Sequence, residues 1–589
     1  MARDGQLDTA GRAEIHALIA TSRPLIVFLL FLMVASAARG QAMTVAPGNA
    51  NNNAQVKALY EAKRWEDVVR AVPESPNEPV DLELDRGLAL AELGRYNQAE
   101  QTFEAGHAGH PRDARFLEEM AGIAYHDKRF AAAKKDLRCA LVLDPKDAYA
   151  SNFLASIYFL EGNLEAALKY WNRVGKPKLS DLSYDPKPEL DPLILDRAFK
   201  FSPGAVWTRN QYLTTNAELS QLDLFPHMFY ELKAQRDGAF KLVWHASQEP
   251  SWRNMRWQAA ASMLRGLPYL SVYPEFYNLN CKGLNWLSFV RWDDNKRWLS
   301  SDVAWPLEEN PKQRVRLYFV GRNENWNVTN TLTPGVPAAA EFNMRRVVTG
   351  AEVASIENWR WGWSVAGEYS YRDFRSLAGI PAKADEFFTD SSGMDLRASV
   401  HRSLIQFPER RFSLDGSATG DAGRFFTNPL GKYGRLQGSL DANWFPRAQG
   451  DDYQTSTTLR AGKTFGQVPF DDLWLLGFDR DNDLWMRGHN GLMDGKKGNA
   501  PLGRNYVLSN SDVEKVVFHD AFVQVQVGPF LDTGNIYDPS QFFGSPKWLT
   551  DTGLQARVKL LGNFSFVLGY GKDLRSGANT FYSMASASH

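Results

Sequence analysis

At 589 residues the chain is too long for one ordinary hydrophobic core and points to two or three domains. A formal net charge of -1 excludes bulk attraction to nucleic acid or to an anionic surface. Apolar residues reach 44% and aromatics 13%, yet the mean hydropathy is -0.39. The apolar residues are therefore spread out, as in alternating strands, and not gathered into the long runs of a helical membrane protein.

The N-terminus is the exception. Arg23 precedes the apolar run Leu25 to Val34, and small residues follow through Ala42. A basic flank, a short apolar stretch and small residues make a secretory signal over residues 1–42, with cleavage after Ala37 or after Ala42. The competing reading is an uncleaved anchor, for which the run is short. Residues 43–55, with Asn49, Asn51, Asn52 and Asn53, read as a polar linker. Cys139 and Cys281 are the only cysteines. Two cysteines exclude a disulfide framework; lying in different segments without metal-type spacing they read as structural thiols, with a single bridge as the alternative.

A repeat comes next. Arg95-Tyr96-x-x-Ala99 recurs as Arg129-Phe130-x-x-Ala133 and as Asn163-Leu164-x-x-Ala167, in steps of 34 residues. Pro111 and Pro145 keep the same period, and Gly94 and Gly162 precede the motif at matching places. Over residues 56–176 this pattern resembles the tetratricopeptide (TPR) family. The resemblance implies two helices per unit, packed at Tyr96, Ala99, Phe130, Ala133, Leu164 and Ala167. It also implies a groove for a periplasmic protein partner; a plain spacer arm is the alternative.

Pro177, Pro186, Pro188 and Pro192 mark residues 177–192 as a linker. Residues 193–249 then read as a strand from Ile194 to Phe201, a helix from Arg209 to Leu222, and two strands around Phe229 and Phe240 joined by Arg236-Asp237-Gly238. This order resembles a polypeptide-transport-associated (POTRA) domain, which implies binding of unfolded or extended client chains by strand addition. A small α+β connector of another kind is the alternative.

From residue 265 to 589 the chain alternates. Trp363, Val365, Tyr369 and Tyr371 interleave with Ser364, Glu368 and Ser370; Leu436, Leu440 and Trp444 interleave with Gln437, Ser439, Asp441 and Asn443. A soluble sandwich and a membrane barrel both alternate, with opposite faces in the core. The signal, the polar loops and the aromatic strand ends Trp292, Trp305, Trp326, Trp359 and Trp444 favour the barrel, an antiparallel one of about 16 strands set in outer-membrane lipid.

The segment Leu484-Trp485-Met486-Arg487-Gly488-His489 is similar to the tip of the long sixth loop of the BamA/TamA family, the bacterial surface-antigen superfamily that includes two-partner-secretion transporters. Gly498-x-x-Pro501-Leu502-Gly503 resembles its glycine-rich return, and Phe530-Leu531-Asp532-Thr533-Gly534 its aromatic-x-Asp-x-Gly strand. The resemblance implies that Arg487 pairs with Asp532 inside the lumen, that Gly488 and Gly534 leave room for the contact, and that Phe530 packs beside it. His489 stands where the family carries Phe or Tyr, and the chain ends in Ser583 to His589 with Phe581 as the candidate strand terminus. Asp479, Asp481 and Asp483 read as a solvated loop in preference to a cation site.

Motifs for nucleophilic, zinc-dependent, thiol or nucleotide chemistry are missing. The expectation is a protein without enzyme activity, cofactor, metal or nucleic-acid partner. It would assemble or translocate proteins at the outer membrane of a Gram-negative-type cell, with the N-terminal arm in the periplasm. A pore dedicated to one exoprotein, and a structural porin or surface receptor with a scaffold arm, are the alternatives.

Overall fold

The computed structural model describes residues 50–72, 79–250, 252, 255–329, 340–379, 387–426, 431–448, 450–520, 523–539, 543–545, 547–560 and 564–587. The predicted signal, residues 1–42, lies outside them. The chain forms two compact units, one ending at Leu160 and one beginning at Glu161.

The first unit is helical: α1 (Ala50–Glu61), α2 (Trp65–Ala71), α3 (Val80–Glu92), α4 (Tyr96–Gly109), α5 (Ala114–His126), α6 (Phe130–Leu143) and α7 (Ala148–Leu160). The starts of α3, α5 and α7 keep the 34-residue step, as do those of α4 and α6. Ala99 and Ala133 are fully buried, so the small side chains sit where helices meet. A Cβ at Gly87 would lie 2.2 Å from the Phe103 ring, which fixes that crossing. Tyr96 stacks on His126 at 4.1 Å, and Phe130 packs against Tyr125 at 5.7 Å. Helix α1 starts at Ala50, so the end of the expected 43–55 linker is helical. Asparagine costs only a few tenths of a kcal/mol in a helix, and Val56 is buried against Val68 and Val72; packing outweighs that cost.

The second unit opens with α8 (Leu164–Trp171), in which Ala167 is buried. Then come β1 (Leu179–Asp185), α9 (Pro192–Ala198), α10 (Arg209–Gln221), β2 (His227–Ala234) and β3 (Phe240–Ser247). The three strands order as β1-β3-β2, with β1 parallel and β2 antiparallel to β3. Two expectations fail here. Residues 179–185 of the expected linker form a strand, and the expected strand at Ile194–Phe201 is largely helix. Asp191 caps that helix by accepting from Leu193 N at 2.9 Å, Pro192 fits its first turn, and Ile194, Leu195 and Ala198 bury one helical face. The prolines bracket a strand at its two ends and do not break it.

After α11 (Arg256–Met263) the chain enters one large antiparallel sheet. Its short members β4 (Ser271–Val272) and β5 (Glu275–Phe276) both pair with β6 (Asn285–Trp292). The sheet continues through β7 (Lys296–Pro306), β8 (Gln313–Val328), β9 (Ala340–Asn358), β10 (Trp361–Ala378), β11 (Ser391–Phe407), β12 (Phe412–Phe425), β13 (Lys432–Trp444) and β14 (Tyr453–Gly466). A long loop follows, holding the short strands β15 (Trp474–Leu475), β16 (Leu492–Met493), β17 (Lys496–Lys497) and β18 (Leu502–Gly503). The sheet resumes with β19 (Asn505–His519), β20 (Val523–Tyr537), β21 (Leu549–Leu560), β22 (Phe564–Asp573) and β23 (Asn579–Ala587). The strand order brings β23 round beside β4. Fourteen of these strands have eight residues or more, where about 16 were expected, and the first pairing begins at Ser271, not at residue 265. The last strand runs past Phe581, which lies near its start; the small residues Ser583, Ala585 and Ser586 hide that strand in the sequence.

The polarity of the sheet is inverted. Val365, Tyr369 and Tyr371 are about 40% exposed, while Ala366, Glu368, Ser370 and Arg372 on the other face of β10 are buried. Leu436, Leu440, Trp444, Leu531, Leu554 and Leu568 are likewise exposed, and Gln526, Asp532, Asp551 and Gln555 buried. Trp292 and Trp444 stand exposed at strand ends as expected of an interfacial belt, but Trp326 does not. It points inward and meets Phe470 of the long loop at 5.0 Å.

The α+β part docks on one end of the sheet, at its short turns. Asp191 N donates to Cys281 O at 2.7 Å, Trp359 Nε1 to Asn210 Oδ1 at 2.7 Å, and Asn285 Nδ2 to Leu222 O at 2.8 Å. Lys169 pairs with Glu409 at 2.5 Å, and Arg209 bridges Glu165 and Gln406. A cavity of 770 Å³ separates Ala217 and Ser220 of α10 from Asp302, Arg316, Glu352 and His401 of the wall.

The helical unit carries a localised electrostatic strain. Burial, reinforced by Asp147, pushes the Glu118 carboxyl up to about 9, and burial pushes Glu119 up to about 7. Both values lie above the unfolded carboxylate range, so the stabilising form is the protonated one. That contribution is full below the ordinary carboxylate value of 4.5 and is lost progressively as pH rises, completely by about 7 for Glu119 and about 9 for Glu118. Protection factors of the α5 amides, which remove the base-catalysed rise in intrinsic exchange, should fall as pH rises towards about 9, and Glu118→Gln should flatten the upper part of that profile. An unchanged profile in the variant would remove Glu118 as the cause.

Candidate functional site

Residues 467–504 between β14 and β19 do not lie over the outside of the sheet. They pass along its concave, polar face and are held at three levels. At the base, Asp471 and Asp472 meet three arginines of the wall. Arg346 lies 3.0 Å from Asp471, Arg372 3.0 Å from Asp471 and 3.2 Å from Asp472, and Arg435 3.4 Å from Asp472. Phe470 beside them packs among Trp326, Phe342, Phe388 and Phe543.

Half-way along, Lys296 of β7 donates to Asp479 and Asp481, both at 2.8 Å, and all three side chains are buried. Arg291 of β6 adds a contact to Asp481 at 3.1 Å. The expectation of a solvated acidic loop fails for Asp479 and Asp481 and holds for Asp483, which is exposed. Between them Arg480 reaches the junction of first and last strands. Its guanidinium lies 3.6 Å over the Tyr269 ring and donates to Ser583 O at 3.2 Å. Lys296, Arg291 and Arg480 carry no local signal in the sequence, because these partners lie 103 residues or more away along the chain. The one available signal was carboxylates at alternate positions, and alternation alone does not show which way a loop faces.

At the tip, Arg487 and Asp532 come together. Nε donates to Oδ2 at 2.9 Å and Nη2 to Oδ1 at 2.6 Å, a bidentate pair, and the Arg487 backbone N–H donates to Oδ2 at 2.9 Å. Nη1 reaches Asp512 at 2.5 Å and Gln555 Oε1 at 3.1 Å. Phe530 lies under the guanidinium, 3.8 Å from it to the ring centre, and is itself buried against Phe478, Val567 and Tyr582. Each nitrogen of the guanidinium thereby has an acceptor in a site shielded from water, as a buried charge requires.

Two glycines make the approach feasible. A Cβ at Gly488 would lie 2.6 Å from Asp573 N and 2.7 Å from Asp551 Cγ; one at Gly571 would lie 2.2 Å from Arg487 O. Gly571 gives no local signal in the sequence, since its neighbour comes from the loop. Gly534 is less critical, with its nearest neighbours at 3.1 and 3.2 Å. On its return the loop pairs Lys497 with Trp326, and Gly498 takes φ +111° with Asn327 O against it.

With this geometry in place, the chain can be set beside known proteins. No family model and no curated protein matches it. Among solved structures it is similar to BamA from Haemophilus ducreyi lacking POTRA domains 1-3, at 8% identity and a TM-score of 0.41, over 70% of this chain and 84% of that one. It is similar to CdiB from Escherichia coli at 12% identity and a TM-score of 0.45, over 70% of this chain and 77% of that one. MamA 41-end from Desulfovibrio magneticus RS-1 aligns with 21% of this chain and 71% of its own, at 19% identity and a TM-score of 0.20.

Removing one partner of a buried pair costs about 3 to 5 kcal/mol, because the other charge is left unpaired. Arg487→Ala and Asp532→Ala should each free the tip, seen as new protease cleavage within residues 467–504 of the folded protein. Arg487→Lys should rescue little, since an ammonium cannot make the bidentate contact. Gly571→Val should free the tip with the ion pair intact in sequence, by excluding Arg487 O. Full protease resistance in Gly571→Val would refute the close-approach argument.

Proposed function

We propose that this chain is an outer-membrane barrel that assembles or translocates proteins, with an N-terminal periplasmic arm. The observation that carries the reading is the inverted sheet. Large apolar side chains face out and charged ones face in, an arrangement stable only where the outer solvent is apolar. Strands of eight to 19 residues are long enough for such a solvent layer.

The rest of the architecture supports more than a passive pore. A loop pinned at three levels blocks free passage along the concave face, so passage is coupled to movement of that loop. The α+β part, read as POTRA-like, sits on the end with short turns, the expected periplasmic end. Its edge strands β1 and β2 offer backbone donors and acceptors to an extended client. Unmet backbone groups cost several kcal/mol each in lipid, so a client strand gains from being paired before it enters. The helical repeats, read as TPR, recruit a periplasmic partner or client. In this reading the Arg487–Asp532 contact with Gly488, Phe530 and Gly534 is the lock between loop and wall.

Depletion of the protein followed by quantitative proteomics of the outer membrane tests the reading. A broad fall in many barrel proteins is the expected result for an assembly factor. Loss of one secreted or surface protein would reassign the chain as a dedicated secretion pore, and no change in any protein would leave a porin or receptor.

A further inference from the structure

Register places an unusual row of acids on the concave face. Asp532 of β20 is the direct cross-strand partner of Asp551 of β21, and Asp551 is the direct partner of Asp573 of β22. Like charges directly opposite one another destabilise a sheet. The loop tip answers the row in order. Arg487 takes Asp532 together with Asp512, Gly488 N donates to Asp551 Oδ2 at 2.6 Å, and the His489 ring enters between Asp551 and Asp573. His489 Nδ1 lies 3.0 Å from Asp551 Oδ2, and Nε2 lies 3.5 Å from Asp573 Oδ2.

The charges do not close. Ionised, Asp512, Asp532, Asp551 and Asp573 bring four negative charges to this region, against two positive ones on Arg487 and Arg575. A proton on His489 would close half the remainder, and a divalent cation would close all of it. Two further observations point to a ligand. Asp551 is fully buried, and among the described residues its Oδ1 accepts no hydrogen bond, the His489 Nδ1 that lies 2.9 Å from it being paired with Oδ2. One ligand atom from each of His489, Asp551 and Asp573 can be chosen so that all lie within 4.8 Å of one another. Ligands on a tetrahedral centre with bonds of about 2.0 to 2.2 Å are separated by about 3.3 to 3.6 Å, so the His489–Asp551 contact, 2.9 Å at its shortest, has to open by a few tenths of an ångström and the longer separations in the set have to close by about 1 Å.

We propose that His489, Asp551 and Asp573 form a binding site for a zinc-class divalent cation that staples the loop tip to β21 and β22. One imidazole and two carboxylates are a borderline nitrogen and oxygen set, suited to zinc and not requiring the all-oxygen shell of calcium or magnesium. The surroundings orient the ligands: Asp573 Oδ1 accepts from Arg575 N at 2.8 Å, its Oδ2 accepts from Ser576 Oγ, and Thr580 Oγ1 donates to Gly488 O at 2.9 Å. His489 is 15% exposed, which leaves an approach for the ion and a position for water. The site needs the loop on the concave face and does not depend on what the protein transports.

The test uses the full chain in detergent micelles, stripped with chelator and desalted, with zinc as the probe and calcium and magnesium as controls. Folding of every sample is checked by heat-modifiable gel mobility. The expected result is one zinc per chain, with affinity lowered at least about 10-fold in His489→Gln and in Asp573→Asn. Cobalt substitution should give a visible ligand-field band that the folded His489→Gln lacks. Folded wild-type protein that takes up no zinc would overturn the proposal and leave a protonated His489 as the counter-charge. Equal zinc uptake by folded His489→Gln would overturn it as well.

Discussion

A wall that turns its polar side chains inward has to satisfy them inside. That single constraint organises the C-terminal unit. In a soluble protein Glu368, Arg372, Asp532 and Asp551 would point to water and find partners at no cost. Here they are buried, and unpaired buried charges cost several kcal/mol each. The long loop supplies the complement: aspartates at its base for the wall's arginines, Asp479 and Asp481 for Lys296 and Arg291, and Arg487 for Asp512 and Asp532. The loop is therefore part of the wall's electrostatics, and its shape follows from where the wall's charges lie.

That arrangement also constrains how the loop can move. Its three attachments are spread over strands that include β6, β7, β8, β10, β13, β20 and β21, so no single strand displacement frees it. Buried ion pairs are poor sources of net stability but strong determinants of position, because each half-broken state leaves a bare charge. Arg480 adds a link of a different kind. It is a loop residue that touches both Tyr269, ahead of the first strand, and Ser583 in the last. Loop position and the junction of the sheet are thereby joined through one side chain.

Much of this was legible in the sequence wherever the signal is local or periodic. The 34-residue step placed helices from α3 onward, because repeat packing needs small residues at fixed crossings, and Ala99, Ala133 and Ala167 are buried as that requires. The period-2 alternation located most strands. Failures came where two local signals compete. Ile194 to Phe201 is apolar enough for a strand, but the Asp191-Pro192 start makes a helix of it. Residues 179–185 were masked by the prolines on either side. Trp326 was assigned to the outer belt because an aromatic near a strand end does not reveal its parity.

By itself, then, the sequence determined the helical repeats, the alternating strands and the candidacy of Arg487 and Asp532, since each rests on spacing or on a short motif. Only the tertiary structure decided which strand face is buried, because alternation is symmetric until a fold chooses the inside. Only it could align Asp532, Asp551 and Asp573 across three strands, since register depends on turns and bulges summed over distance. And only it could bring His489, a residue that departs from the resembled motif, between Asp551 and Asp573.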